Sequence, residues 1–329
     1  MPLFDGDNID PRGWNWQAFD VRGLWRRPQL LVLALLVILA AGAGAYWLWA
    51  REAPQPELGE EPVIDVYFHE EGQVRSMPIE EYLEGVVAAE MDPEWPEEAL
   101  SAQAIIARTF TLRKMEEGGV PGRNADASTD HTEFQAYDAD RVNDRVRSAL
   151  KSCRGKIITY DGRPVLAWFH ASSGGRTATP EEGLGFTGEE TPYLRVIDDM
   201  DETEDVTWDQ TFSISEVEAA AASLGYSVSP LTELEIGDEG PSGRALTLDM
   251  NGTSVPAPEL RLTLGPEDMR STLLDEVEIT NGEVRMNGRG FGHGVGLSQW
   301  GAWIMAQRGK SAEDIVKFYY RGVNIEKRW

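Results

Sequence analysis

Glu90 stands where the pattern of its neighbours calls for an apolar side chain. It ends the segment Ile79–Glu90, in which Leu83, Val86 and Val87 fall on or near one helical stripe while Glu80, Glu81 and Glu84 lie opposite. At about 100° per residue, Glu90 returns to within roughly 20° of the direction of Ile79, so its carboxylate joins the buried stripe. Burial and the negative end of the helix dipole both disfavour a charge there. The spacing therefore predicts a raised pKa, the preparation a general acid needs near neutral pH. The alternative is a helix that ends at Glu90 and turns the side chain into water. A second helix is expected from Ala99 to Leu112, apolar on nearly every face yet carrying Gln103 and Arg108. A core helix admits an amide and a guanidinium only with partners, so the two read as the wall of a site beside Glu90.

Two glycine-rich stretches are the other places where backbone can approach a ligand. In His170-Ala-Ser-Ser-Gly-Gly-Arg the adjacent Gly174 and Gly175 follow a predicted strand and free backbone N–H groups for contact. Ser173 is no nucleophile elbow, because no glycine lies two residues before it. The bland reading is a plain loop with a satisfied His170. Near the C-terminus, Gly288, Gly290, Gly292, Gly294 and Gly296 recur at every second position, which in an extended chain gives one flat face of bare backbone. Neither phosphate-loop spacing fits. Ser298 is placed to cap a helix QWGAWIMAQR, Gly309 to end it and Ser311 to start another through Tyr320. His293 then projects from the glycine face beside a helix N-terminus; a lone histidine in such a place is more often structural than catalytic.

These stretches carry a resemblance. EYLEGVVAAEM…WPEEALSAQAIIARTF, followed by FHASSGGRT at 169–177, PYLRVIDD at 192–199 and GHGVGLSQWGA at 292–302, resembles the signature of the family typified by stage II sporulation protein D. The match runs in the family's order from about Val63 to the end. It departs at Ser101, where members often carry Lys. The resemblance implies a lytic transglycosylase that cuts peptidoglycan glycan strands, preferably those lacking stem peptides, during engulfment in sporulation. In that chemistry Glu90 protonates the glycosidic oxygen, then takes the proton of the sugar's own C6 hydroxyl as a 1,6-anhydro ring closes. The implied substrate-binding residues are Gln103, Arg108, Gln135 and Tyr137 (in HTEFQAY at 131–137), His170, Ser172, Ser173, Gly174, Gly175, His293, Gly294, Ser298 and Gln299. The implied partners are peptidoglycan and a membrane-anchored cell-wall amidase. A non-catalytic glycan-binding module or amidase enhancer is the alternative. No cofactor is implied. Some relatives bind zinc through Cys and His, but His131 and the lone Cys153 lack companion thiols, so no metal is expected. Arg108, Arg176, Arg195 and Arg289 recur inside the motifs of an acidic chain, which suits a glycan bearing lactyl carboxylates.

Around these motifs the chain is 329 residues with a net charge of −26, a sign that excludes a nucleic-acid-binding surface. Arginines cluster in residues 1–29, an uncharged apolar run spans Leu30 to Ala50, and glutamates follow. That order predicts a cytoplasmic N-terminus, a transmembrane helix at 30–50 and an extracytoplasmic domain. The AAGAGA stretch also offers a signal peptidase small residues, but the run continues through Trp47 and Trp49, favouring an uncleaved cell-membrane anchor. Residues 51–62 read as a Pro- and Glu-rich linker and 63–329 as the catalytic domain. The expected fold is α+β: helices and β-hairpins forming a main domain, with about 200–285 as an inserted smaller lobe. Within it VIDVYF, RALTLDM, LRLTLG and EVEIT read as strands, Arg145–Lys151 and SEVEAAAASLG as helices, and GKIITYDGRPVLAWFHA as a hairpin about Asp161-Gly162.

Overall fold

A computed structural model describes residues 58–201 and 206–329. The apolar run at 30–50 lies outside the described residues, as do 1–29 and most of the linker. No helix among the described residues is long and apolar enough to cross a membrane. The described chain is mixed α and β, with eight α-helices and five small sheets.

The fold begins with a hairpin, β1 (Val63–Phe68) against β2 (Gln73–Pro78), to which β3 (Ala127–Ser128) adds in parallel. Two helices follow, α1 (Ile79–Glu90) and α2 (Glu97–Glu116). Pro78 and Pro96 each sit one residue before their helix, not at its first position, and hold the extended φ/ψ of a cap residue. Helix α2 is buried from Ala99 to Thr109, and Leu100, Ile105 and Ile106 are wholly inaccessible. Each such side chain contributes about 1.5–3 kcal/mol relative to exposure. This helix is the axis of the first core.

Around it pack α3 (Asp144–Ser152), β4 (Lys156–Tyr160), which pairs with β5 (Arg163–Pro164), and β6 (Phe169–His170). The β4–β5 turn is the one expected, with Asp161 at φ 49° and Gly162 at φ 78°. The short helix α4 (Pro180–Leu184) follows, capped by Thr179. A second core gathers Trp208, Phe212, Val217, Leu248, Val255, Leu260, Val284 and Met286. It is built from β7 (Thr207–Ser213), α5 (Ile214–Ser223), β8 (Leu234–Ile236), β9 (Thr247–Met250), β10 (Thr253–Pro256), α6 (Ala257–Leu264), β11 (Leu274–Thr280) and β12 (Glu283–Arg289). The chain returns to the first core through β13 (Leu297–Ser298), α7 (Gln299–Gln307), α8 (Ala312–Tyr319) and β14 (Asn324–Lys327), which pairs with β4.

Two expectations fail for physical reasons. LRLTLG is not a strand but the body of α6, because Pro256 and Pro258 start a helix and the buried positions Ala257, Leu260 and Arg261 have helical spacing. Leu262, which completed the apparent alternation, is 65% exposed. Nor do the C-terminal glycines form a flat extended face. From Gly290 to Gly296 every glycine has positive φ, so the segment winds instead of alternating. At Gly296, with φ 77°, a Cβ would run into the carbonyl of Trp168.

Candidate active site

The C-terminal residue of α1 points its carboxylate inward. Glu90 Oε1 accepts the backbone N–H of Ala136 at 2.9 Å, and the side chain of Gln299, first residue of α7, lies near enough to favour the charged form. Burial dominates these two contacts and pushes the Glu90 pKa up to about 7, although both favour the charged form. The residue as a whole is half-buried, with Oε1 turned to the Ala136 N–H. A carboxylic acid with this pKa is half protonated near neutral pH and can give or take one proton there.

Gln299 is aimed by a buried carboxylate. Asp201 Oδ2 accepts from Ser298 Oγ at 2.8 Å, Ser172 Oγ at 2.9 Å and the Ser173 N–H at 2.7 Å, while its Oδ1 accepts the Gly175 N–H at 2.9 Å. Ser298 Oγ in turn accepts the Gly301 N–H and caps α7. Asp199 lies alongside, accepting from Tyr319 Oη at 2.7 Å and Ser173 Oγ at 2.9 Å. Burial, and then the charge of Asp201, push the Asp199 pKa up. The SSGG turn, the end of the PYLRVIDD segment and the start of α7 are thus joined at one carboxylate pair.

His170 and His293 face each other with ring centroids 5.6 Å apart. Burial, with Arg244 nearby, lowers His170 to about 3, and burial followed by His170 also lowers His293, so both rings are neutral at physiological pH. His293 Nδ1 accepts the Val295 N–H at 3.0 Å. Arg244 is fully buried and donates to the carbonyls of Ser173 at 2.8 Å and Arg176 at 2.7 Å. It comes from the second core and packs against Gly294, where a Cβ would run into its guanidinium.

The expected substrate contacts therefore divide. Gln299 lies near Glu90; Ser172, Ser173 and Ser298 turn their hydroxyls inward to Asp199 and Asp201 instead of outward to a ligand. Gln135 is buried and accepts from Thr111 Oγ1, while its neighbour Ala136 supplies the N–H to Glu90. The Tyr137 ring stacks on Tyr82 at 5.7 Å and covers Gly85. Gln103 is fully buried with no hydrogen-bond partner on its amide. Arg108 lies apart from these. It is inaccessible and makes a two-pronged ion pair with Glu80, at the opposite end of α1 from Glu90, and donates to the Lys156 carbonyl. The guanidinium is spent on partners inside the fold and presents no exposed face.

Gly174, Gly175, Arg176 and Arg289 line a groove of about 750 Å³, Arg176 paired with Asp198 at 3.3 Å and Arg289 with Asp275 at 3.1 Å. Arg195 lies elsewhere, donating to the Pro192 carbonyl in its own loop. Sequence reasoning missed Asp199, Asp201, Arg244 and the Ala136 N–H. Asp199 closes the PYLRVIDD segment and Asp201 follows two residues later, but no local pattern marks either as buried. Among the described residues no group of three or more His, Cys, Asp or Glu side chains is disposed to hold a metal ion.

Comparison with known proteins bears on this arrangement. The stage II sporulation protein family model matches residues 67–160, which contain Glu90 and the Gln135–Tyr137 segment. Over 307 residues the chain is 32% identical to stage II sporulation protein D of Bacillus amyloliquefaciens, covering 86% of this chain and 84% of that one. The chain belongs to the stage II sporulation protein D family. The counterpart from Bacillus subtilis (strain 168) is 32% identical over 279 residues, 80% of this chain and 79% of its own length. A more distant relative, the amidase enhancer of the same organism, is 26% identical over 295 residues, 74% of this chain but 40% of that protein. In this member of the family, Glu90 lies inside the segment matched by the family model, and Gln299 reaches it from the C-terminal stretch.

Proposed function

We propose that this chain is a peptidoglycan lytic transglycosylase working with one carboxylate, Glu90. The observation that carries the reading is a carboxyl group held near half protonation by burial, with Ala136 N–H and Gln299 ready to stabilise the anion it becomes. Glu90 gives its proton to the glycosidic oxygen leaving C1 of an N-acetylmuramoyl residue. As that bond breaks, the Glu90 anion takes the proton of the same sugar's C6 hydroxyl, whose oxygen closes on C1 in a 1,6-anhydro ring. Water is not consumed and the acid is regenerated. A hydrolase with two working carboxylates needs a second one at a set separation across the bond. A second carboxyl raised by burial, Asp199, and its neighbour Asp201 are committed to internal hydrogen bonds, which supports the single-carboxylate route.

The apolar run at 30–50 supports a membrane anchor with the domain outside the cytoplasm. Kinship with stage II sporulation protein D supports a role in sporulation, on glycan strands in engulfment. The relative named amidase enhancer supports an amidase partner, and also favours a second reading, a glycan-binding module that assists an amidase without cutting. Incubating wild type and Glu90→Gln with amidase-treated peptidoglycan tests the choice. Soluble fragments from wild type alone support the enzyme. Release by neither protein, with glycan binding kept by both, leaves the binding module.

A further inference from the structure

We propose that Trp95, Trp300 and Trp303 form a stacking platform that holds one sugar ring of the glycan strand beside Glu90. The three indoles form a closed triangle, with ring centroids 5.1 Å apart for Trp95–Trp300, 5.7 Å for Trp300–Trp303 and 6.3 Å for Trp95–Trp303. Trp95 lies in the turn that leaves Glu90 and leads into α2. Trp300 directly follows Gln299, the residue whose amide reaches Glu90, and Trp303 lies one turn further along α7. The backbone fixes the platform: the Trp300 N–H donates to the Ala171 carbonyl at 3.0 Å and Ser298 caps the helix beneath.

Among the described residues Trp300 is the one Trp, Tyr or Phe left exposed, at 37%. An indole left in water forgoes burial energy, and this one is held rigid in a chain whose surface is otherwise heavily acidic. A pyranose ring suits it. Its axial C–H face is apolar and flat enough to lie on an indole, while its hydroxyls stay at the rim, and a rigid aromatic costs little side-chain entropy on binding. Trp300 follows Gln299 on the first turn of α7, and Trp95 lies five residues beyond Glu90. The platform thus stands on the same two elements as the acid and its amide neighbour, and a ring stacked there is proposed to belong to the strand being cut. The inference rests on the glycan reading above.

The test uses full-length protein in detergent and denuded glycan strands. Affinity is measured on the Glu90→Gln background, so that binding is read apart from cleavage. Trp300→Ala should weaken binding about 10-fold, the equivalent of about 1.4 kcal/mol, and in the wild-type background the loss should fall on KM more than on kcat. Trp300→Tyr should recover most of the affinity and Trp300→Leu should not, because leucine offers apolar area without a flat face. Trp300 is partly covered by Trp95 and Trp303, so Trp300→Ala should lower the melting temperature somewhat, and affinity is compared only at temperatures where each variant is fully folded. Unchanged affinity in a folded Trp300→Ala protein overturns the platform, as does full recovery by leucine. If wild type binds glycan through Trp300 but releases no fragments, the platform stands and the transglycosylase reading falls.

Discussion

Ser298 gives its hydroxyl proton to the buried Oδ2 of Asp201, 2.8 Å away, and with the same oxygen caps the helix that carries Gln299 to Glu90. Removing Asp201 leaves Ser172, Ser298 and the N–H groups of Ser173 and Gly175 without this acceptor. Asp201→Ala should therefore cost about 3–5 kcal/mol of stability, read by urea denaturation. Ser298→Ala loses one cap, about 1 kcal/mol. It should lower turnover of the folded protein all the same, because Gln299 is no longer held. Wild-type turnover in Ser298→Ala would refute this coupling.

The Glu90 pKa predicts a pH-dependent stability difference. In the folded chain it is raised to about 7 from an ordinary 4.5, so the folded state keeps a proton that the unfolded chain releases within that window. Wild-type stability from this group falls as pH rises from 4.5 to 7 and stays reduced above. Glu90→Gln carries no such penalty and keeps an oxygen for the Ala136 N–H. Its melting temperature should match wild type at pH 4 and exceed it at pH 8, by the equivalent of roughly 3 kcal/mol. A difference independent of pH contradicts a raised pKa.

Gly85 sits under the ring of Tyr137, where a Cβ would collide with it. Gly85→Ala gains about 1 kcal/mol of helix propensity but must push the ring aside, at about 1–3 kcal/mol, so net destabilisation is expected. Displacing Tyr137 also loosens Ala136, whose N–H favours the Glu90 anion. The alkaline limb of the activity profile should then move to higher pH. A shift to lower pH would count against this geometry.

Arg108 provides a control. Arg108→Ala strands Glu80, which also accepts from the Gly155 N–H and the Trp329 indole, and should destabilise the protein by about 3–5 kcal/mol. KM of the molecules that remain folded should not change. A raised KM at full folding would return Arg108 to the substrate.

The sequence made α1 and α2 legible because prolines, first-turn glutamates and an apolar stripe all mark the same boundaries. The inward carboxylate of Glu90 was readable for the same reason, since helical period alone brings it back to the direction of Ile79. The period failed at Leu260, Leu262 and Leu264, where a short alternation looks like a strand and prolines decide for a helix. Long-range contacts were not readable. Ser298 and Asp201 are 97 residues apart, and no local pattern tells a buried aspartate in an acidic string from a solvated one. Arg108 was recognised as a buried cation needing a partner, but its partner Glu80 lies on the helix face expected to meet solvent.

The central claim is that Glu90 alone moves the proton both ways. The direct measurement is the mass of fragments released from amidase-treated peptidoglycan by the full-length wild type and by Glu90→Gln. The account predicts fragments from wild type lighter by one water than hydrolysis products, carrying 1,6-anhydro ends, and none from Glu90→Gln. Reducing ends from wild type, or anhydro ends from Glu90→Gln, would contradict it.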